Sequence, residues 1–471
     1  MTAPNVPLPE VPMSTIHFAQ TSNFAFVDDL MRFGEDYVPQ VGDVVDAGEV
    51  ETTSGEPFEG ESAVVLATGE TTVVLKDLAS GGEQEAVSDG YFYITSSPTI
   101  SGVWDKHLQV PTPDGVAFAD GLVDPGLVHA LRADVQRLMD LEPVDYHPNS
   151  GTKVRDLVHP SLYPYVDGKS VRRGSTAPTQ APSHDRFGRP FEGSRYQWLP
   201  TPFHVADNGD VTITDYINNL DRSRHPSAYA HLASLFSTAL PLIESVVGYV
   251  DGTHFFDEGV DNESDLPDSA DRRQRPATPT SLRGRDLLVI PKIVEYRLGS
   301  DESHEGVWHV EGMSHEHIVA TCVYVLDRDD TLEGGSLSFK RSYTVEEAGH
   351  LFWNISQGRP APVEHLVNEG TIPLGTVETP AGRLIVFPNS HIHRLNLLSL
   401  TPGATEGRRR VIVFWLVDPS LQGAMPSTRD VAEQQSVFSH EEALAIRLEL
   451  MDERRRHKQS LNVRVVSLCE H

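Results

Sequence analysis

The run RRRVIVFWLVDP, residues 408–419, sets seven consecutive apolar residues, Val411 to Val417, between three arginines and an Asp-Pro break. β-Branched and aromatic side chains dominate it, which suits a strand, and apolar residues on both alternating faces require cover on both sides. Outward from it, DLLVIPKIVEYRL (286–298), HIVATCVYVL (317–326), GSLSFKRSY (335–343) and GRLIVFPNS (382–390) share this texture. Polar turns such as DRDDTLEGG (327–335) separate them. Such a series predicts a closed or double-layered β structure rather than a doubly wound sheet. The expected fold class is α+β: a double-stranded β-helix core, jelly-roll or cupin-like, with flanking helices and an extra N-terminal β-rich segment.

Upstream, residues 225–247 predict a long, mostly buried helix. Residues 123–141 also have helical spacing, with Leu131, Val135 and Leu138 on one face and Asp124-Pro125 as the start signal. Two stretches rich in Pro, Ser and charge, 168–190 and 257–285, read as loops. Short β-branched runs between residues 41 and 95 read as a small antiparallel module without evident chemistry. The tail SHEEALAIRLELMDERRRH (439–457) returns to helix, with Ser439 and Glu442 as a capping box and the RRRH run complementing the helix C-terminus. Four regions follow: an acidic segment 1–100, a helical and loop-rich region 101–285 packing on the core, a β-helix core 286–420, and a C-terminal helix and tail 421–471.

The 471 residues are 39% hydrophobic, enough to fill a sizeable core. The net charge of −30 opposes binding to a nucleic-acid backbone or an anionic membrane surface. Two basic residues against 17 acidic ones place half of that charge in the first hundred positions. Two cysteines, Cys322 and Cys469, build no disulfide framework. No leader-like segment and no window near ~18 apolar residues is evident, so the expectation is a cytoplasmic protein.

The chemistry concentrates in WHVEGMSHEH (308–317). In extended chain, side chains two apart share a side, so His309 and Glu311 can face one point, as can His315 and His317. In FPNSHIHRLN, His391 and His393 are likewise two apart. A His-x-Glu pair plus a distant His is the ligand set of a 2-His-1-carboxylate Fe(II) site, which leaves coordination positions open. A 2-oxo acid bound there needs a cation for its distal carboxylate, and Arg408, Arg409 and Arg410 offer one, Arg409 sharing parity with Val411, Val413 and Trp415. Lys292, Tyr296 and His315 are candidate anchors for a substrate, and Trp308 and Tyr324 read as core.

The stretches VRDLVHPSLYPYVDG, YQWLPTPFHV, DYINNLD, LRGRDLLVIPKI, WHVEGMSHEHIVATCVYVLD, GRLIVFPNSHIHRLNLLSL, RRRVIVFWLVDP and EEALAIRLELMDERR together resemble the domain of unknown function 4246 family. That family is related to the Fe(II)- and 2-oxoglutarate-dependent dioxygenases. The resemblance runs from about residue 145 to the C-terminus and implies metal ligands at His309, Glu311 and His393, with a 2-oxoglutarate-binding role for Arg409. His315, Glu316 and His317 then hold neighbouring hydrogen bonds or line the entrance. Many relatives carry Ser two residues after that Arg. Val411 stands here, so another hydroxyl or amine must complete the carboxylate pocket. The implied activity uses Fe(II), 2-oxoglutarate and O2 to hydroxylate a C–H bond of a small-molecule substrate, giving succinate and CO2. The rival expectations are a protein- or peptide-modifying oxygenase of the same fold and a non-oxidative metal-binding β-barrel or inactive scaffold.

Overall fold

The computed structural model describes residues 16–19, 24–33, 37–48, 50–87, 92–148, 150–179, 194–253, 255, 278–354, 361–368, 370–421 and 425–461. It is a mixed α/β fold with several antiparallel sheets. The strands that position the site are β1 (Ala117–Asp120), β2 (Val154–Val158), β3 (Thr201–Val205), β4 (Arg285–Gly299), β5 (Ile318–Arg328), β6 (Leu337–Ser342), β7 (Thr371–Val377), β8 (Arg383–Pro388), β9 (Ile392–Leu395) and β10 (Glu406–Val417).

The largest sheet among the described residues places β1, β8, β5, β10, β4 and β3 side by side, every neighbour antiparallel. The outer edge of β4 is shared: β3 pairs with Arg285–Val289, and β2 pairs with Ile293–Tyr296. A smaller sheet, β7–β6–β9, is packed against it. One core cluster lies between the two, with Val411, Val413 and Trp415 of β10 and Phe387 of β8 meeting Leu337 and Phe339 of β6 and Leu395 of β9.

The opposite face of the large sheet carries the alternate residues, Ile412, Phe414 and Leu416 of β10 with Cys322 and Tyr324 of β5. These pack under α1 (Pro125–Leu141) and α2 (Pro226–Gly252). Phe414 meets Phe203 and Phe236 edge-on at 6.2 and 5.4 Å. Full burial of such a side chain contributes ~1.5–3 kcal/mol. The uninterrupted apolar run of 411–417 is therefore explained by two layers, one of helices and one of strands.

The helices begin where their residue types allow. Asp124 accepts from the backbone N–H groups of Gly126 and Leu127 ahead of α1, and Leu131, Val135 and Leu138 are its buried stripe. By length and apolarity α2 could cross a membrane, which the sequence reading did not anticipate, but 78% of its apolar window is buried inside the protein, as in a core helix. α3 (His440–Leu461) opens on the reciprocal Ser439–Glu442 bonds of a capping box. Its arginine run does not end the helix, which continues to Leu461, and Arg454 is instead buried against Glu316.

A five-stranded antiparallel sheet spans Val44–Ser96 around its own small core of Val45, Val65, Val73, Leu75 and Ile94. In the region read as helical and loop-rich, β1, β2 and β3 join the large sheet. Of the two expected loops, residues 168–179 form turns with isolated bridges, while 180–193 and 256–277 lie outside the described residues, as does Cys469.

Candidate functional site

The segment before β5 is tied to β9 by backbone. His309 N–H donates to the His393 carbonyl at 3.0 Å, and His393 N–H returns the bond to His309 at 2.9 Å. β9 is in turn registered on β6, with His393 opposite Phe339. Two residues on, Asn389 brackets Glu311, its Oδ1 accepting from Glu311 N–H at 2.8 Å and its Nδ2 donating to the Glu311 carbonyl at 2.9 Å. Gly312 then turns the chain at φ +64, where a Cβ would sit 2.7 Å from the Glu316 carboxylate.

The result is a cluster in which ligand atoms of His309, Glu311 and His393 lie within 4.8 Å of one another. The Nε2 atoms of His309 and His393 are 3.7 and 3.5 Å from Glu311 Oε1. Each imidazole spends its other nitrogen on a carbonyl: His309 Nδ1 on Val307 at 2.7 Å, and His393 Nδ1 on His391 at 3.4 Å. Those partners assign the ring proton to Nδ1 and leave both Nε2 lone pairs facing the carboxylate. Burial opposes ionisation of Glu311, and positive charge beside it, carried by a protonated imidazole or by a cation in its place, holds its carboxyl well below the usual range. Burial pushes His393 down, so the ring is neutral. Three acceptors converging without a proton among them suit a cation.

The cluster borders a cavity of about 680 Å³ between the sheets, lined by Val294, Val323, Val411 and Val413 among others. Arg409 lies in the same lining and is 2% exposed. Its guanidinium donates to the Gly335 carbonyl at 3.2 Å and lies 5.8 Å from the Tyr296 ring centroid, while its Nε has no partner among the described residues. Burial brings Arg409 down to about 10, still a cation at neutral pH. Arg408 and Arg410, on the opposite parity, pair with Asp329 at 3.7 Å and Asp327 at 2.6 Å. Gly335, at φ +71, is where a side chain would strike Leu398, 2.7 Å away, and crowd the Arg409 guanidinium at 3.5 Å.

The other histidines of the motif are placed elsewhere. His315 bonds the Tyr196 carbonyl at 3.0 Å and is not among the residues that line the cavity. His317 sits at φ 48 after a short 3-10 turn, not on a strand. Glu316 is fully buried, accepting from Trp198 N–H at 2.6 Å and from Arg454 of α3 at 2.5 Å. His391 places Nε2 2.7 Å from the Asp114 carbonyl, and burial pushes it down to about 3. Trp308, read as core, instead lines the cavity with Arg394 and Lys340 over its ring at 4.8 and 5.2 Å. Tyr324 is core.

Sequence reasoning missed a second His/carboxylate cluster: His147, Asp156 and His159, again within 4.8 Å. Asp156 is on β2, and both histidines line the cavity. Its only local signal is an Asp three residues before a His in VRDLVH. Here the protons lie between the partners. His147 Nδ1 contacts Asp156 Oδ2 at 3.0 Å, and His159 Nδ1 accepts from Ser161 N–H at 3.1 Å, which puts the proton of the neutral ring on the Nε2 that faces Asp156. Burial holds His159 far below its ordinary value and works against the Asp156 charge, which His159, His147 and Lys292 nevertheless keep ionised.

The chain belongs to the family described as "Protein of unknown function (DUF4246)", which matches residues 101–278 and 260–442, more than half of the 471 residues. No curated protein matches it. Among solved structures it is similar to IDO from Bacillus thuringiensis, 10% identical over 64% of this chain and 92% of that one, with a TM-score of 0.30. It is also similar to an oxidoreductase of the 2OG-Fe(II) oxygenase family from Burkholderia pseudomallei, 11% identical over 68% and 89%, with a TM-score of 0.27. A third is the Fe(II)/(alpha)ketoglutarate-dependent dioxygenase TqaL, 12% identical over 70% and 91%, with a TM-score of 0.30.

Proposed function

We propose that the protein is an Fe(II)- and 2-oxoglutarate-dependent oxygenase that hydroxylates a C–H bond of a small molecule. The core, residues 286–420, is read as a double-stranded β-helix, with 101–285 and 421–471 packed on it. Pairing of β4, β10, β5 and β8 in one sheet, of β7, β6 and β9 in the other, and of the His309 segment with β9 supports that architecture. The single observation that carries the function is one cavity bordered both by the His309, Glu311 and His393 acceptors and by a buried Arg409 without a carboxylate partner among the described residues.

The residues fit the groups. Two imidazole Nε2 atoms and one carboxylate, freed of protons by their own hydrogen bonds, are the facial donor set that Fe(II) accepts with positions to spare. When bound, iron and its cosubstrate supply the oxidising chemistry, with 2-oxoglutarate and O2 becoming succinate and CO2. His309, Glu311 and His393 hold the metal, and the Asn389 bracket fixes the Glu311 backbone so that the carboxylate need not search for it. Arg409 receives the distal carboxylate. Tyr296, opposite Arg409 across β4 and β10, supplies the hydroxyl that Val411 cannot. The valines between exclude water from the reacting end.

The test needs no substrate. Anaerobic protein with Fe(II) and 2-oxoglutarate should show a weak visible band requiring both, absent in His393→Ala and weakened in Arg409→Met. No band, together with no calorimetric binding of 2-oxoglutarate, would turn the reading to the non-oxidative barrel or scaffold.

A further inference from the structure

The register of the large sheet maps the cavity wall in rows. Tyr296 stands opposite Arg409, Val294 opposite Val411, Lys292 opposite Val413 and Ile290 opposite Trp415, which itself stands opposite Thr321. Arg409 thus marks one end of a valine-lined wall. The other end carries Lys292, Trp415 and Thr321, all in the cavity lining. Lys292 makes no ion pair or hydrogen bond with a protein group among the described residues; its ammonium lies 5.8 Å from the Trp415 ring centroid, leaning away from Arg409. The Trp415 indole N–H and the Thr321 hydroxyl, on residues 2% and 1% exposed, are buried without a partner among the described residues. A buried donor left unpaired costs ~1–3 kcal/mol, so three donors at one end of a cavity call for an acceptor from outside the chain.

We infer that this end is the substrate's anchor, and that the substrate is an organic acid: a carboxylate held by Lys292, Trp415 and Thr321, carrying an apolar segment along Val413, Val323, Val411 and Val294. The inference rests on the oxygenase reading, in which Arg409 is already committed to the cosubstrate. Lys292 and Tyr296, which faces Arg409, are four residues apart on β4, roughly 13 Å along a strand, more than one five-carbon diacid spans. Charge decides the head group. Asp156, opposite Val294 and so on the same face of the sheet, offsets part of the Lys292 field, and Arg454, the other cation lining this end, is already paired with Glu316. The remaining positive charge suits a monoanionic carboxylate and not a phosphate dianion, which favours several cations.

Octanoate and octanamide make a matched pair of probes, equal in length and differing in charge. Binding is read by calorimetry and by tryptophan emission, since Trp415 and its stacked neighbour Trp198, 4.7 Å away, report on the site directly. Wild-type protein should prefer octanoate by ~10-fold or more, the worth of a charged hydrogen bond. Lys292→Met should lose that preference while keeping 2-oxoglutarate affinity, which also shows that it folds; Lys292→Arg should retain most of it. Arg409→Met should show the converse, losing 2-oxoglutarate and keeping octanoate. Equal binding of the two probes, no binding of octanoate, an unchanged preference in Lys292→Met, or displacement of octanoate by 2-oxoglutarate through Arg409 would each overturn the inference. Loss of octanoate in Lys292→Met beside a wild type that never binds 2-oxoglutarate would leave the acid anchor standing and remove the oxygenase reading.

Discussion

Two clusters of two histidines and one carboxylate border the same cavity, each with ligand atoms within 4.8 Å, and composition alone would call both metal sites. They differ in where the protons are. In the His309 cluster, carbonyl groups of Val307 and His391 take the Nδ1 protons, so every atom facing the centre is an acceptor. In the His147 cluster, the Ser161 N–H occupies His159 Nδ1, and Asp156 Oδ2 already accepts from His147 Nδ1 within the field of Lys292, although Oδ1 has no partner among the described residues. A cation entering there would have to displace protons and face an ammonium. The first set is built for a metal and the second for holding β2 and the 147–161 segment against the cavity. Hydrogen bonds one step out from the side chains decide which chemistry the same residue types perform.

The comparison can be broken at either end. Asp156→Asn is expected to have the larger effect on the fold, ~2 kcal/mol of lost stability near neutral pH, the worth of its charged bonds. Because the folded-state pKa of Asp156 is depressed, its contribution is present above the ordinary carboxylate value and fades as pH falls below about 4. Denaturant melts should therefore show the gap between variant and wild type closing on acidification. A gap constant with pH would mean that shape and not charge matters at that position. Asn389→Ala should act on the other cluster and more gently, weakening Fe(II) about 10-fold in competition with a chelator while the melting temperature changes little. Unaltered affinity would show that Glu311 is positioned without its bracket.

Much of this was legible in the sequence where the chain is a regular strand. The parity of Arg409 with Val411, Val413 and Trp415 carries directly into the cavity wall, and Arg408 and Arg410 fall on the other face as alternation requires. Parity misleads where the strand stops. His391 precedes β9, follows a turn, and meets Asp114 from a different part of the chain. His315 lies within a 3-10 turn and His317 follows it, so their spacing of two has no shared face. The second cluster could not be read at all, because the pairing of β2 with β4 across 138 residues, from Asp156 to Val294, is what places it beside Lys292. Asn389 was hidden for another reason. Nothing in FPNSHIH distinguishes a turn asparagine from one that clamps a ligand's backbone.

The most direct measurement is anaerobic Fe(II) titration of wild-type, His393→Ala and His159→Ala proteins, with bound metal counted per chain. One iron is expected in the wild type, none in His393→Ala and one in His159→Ala. Two irons falling to one in His159→Ala, or iron retained in His393→Ala, would contradict this.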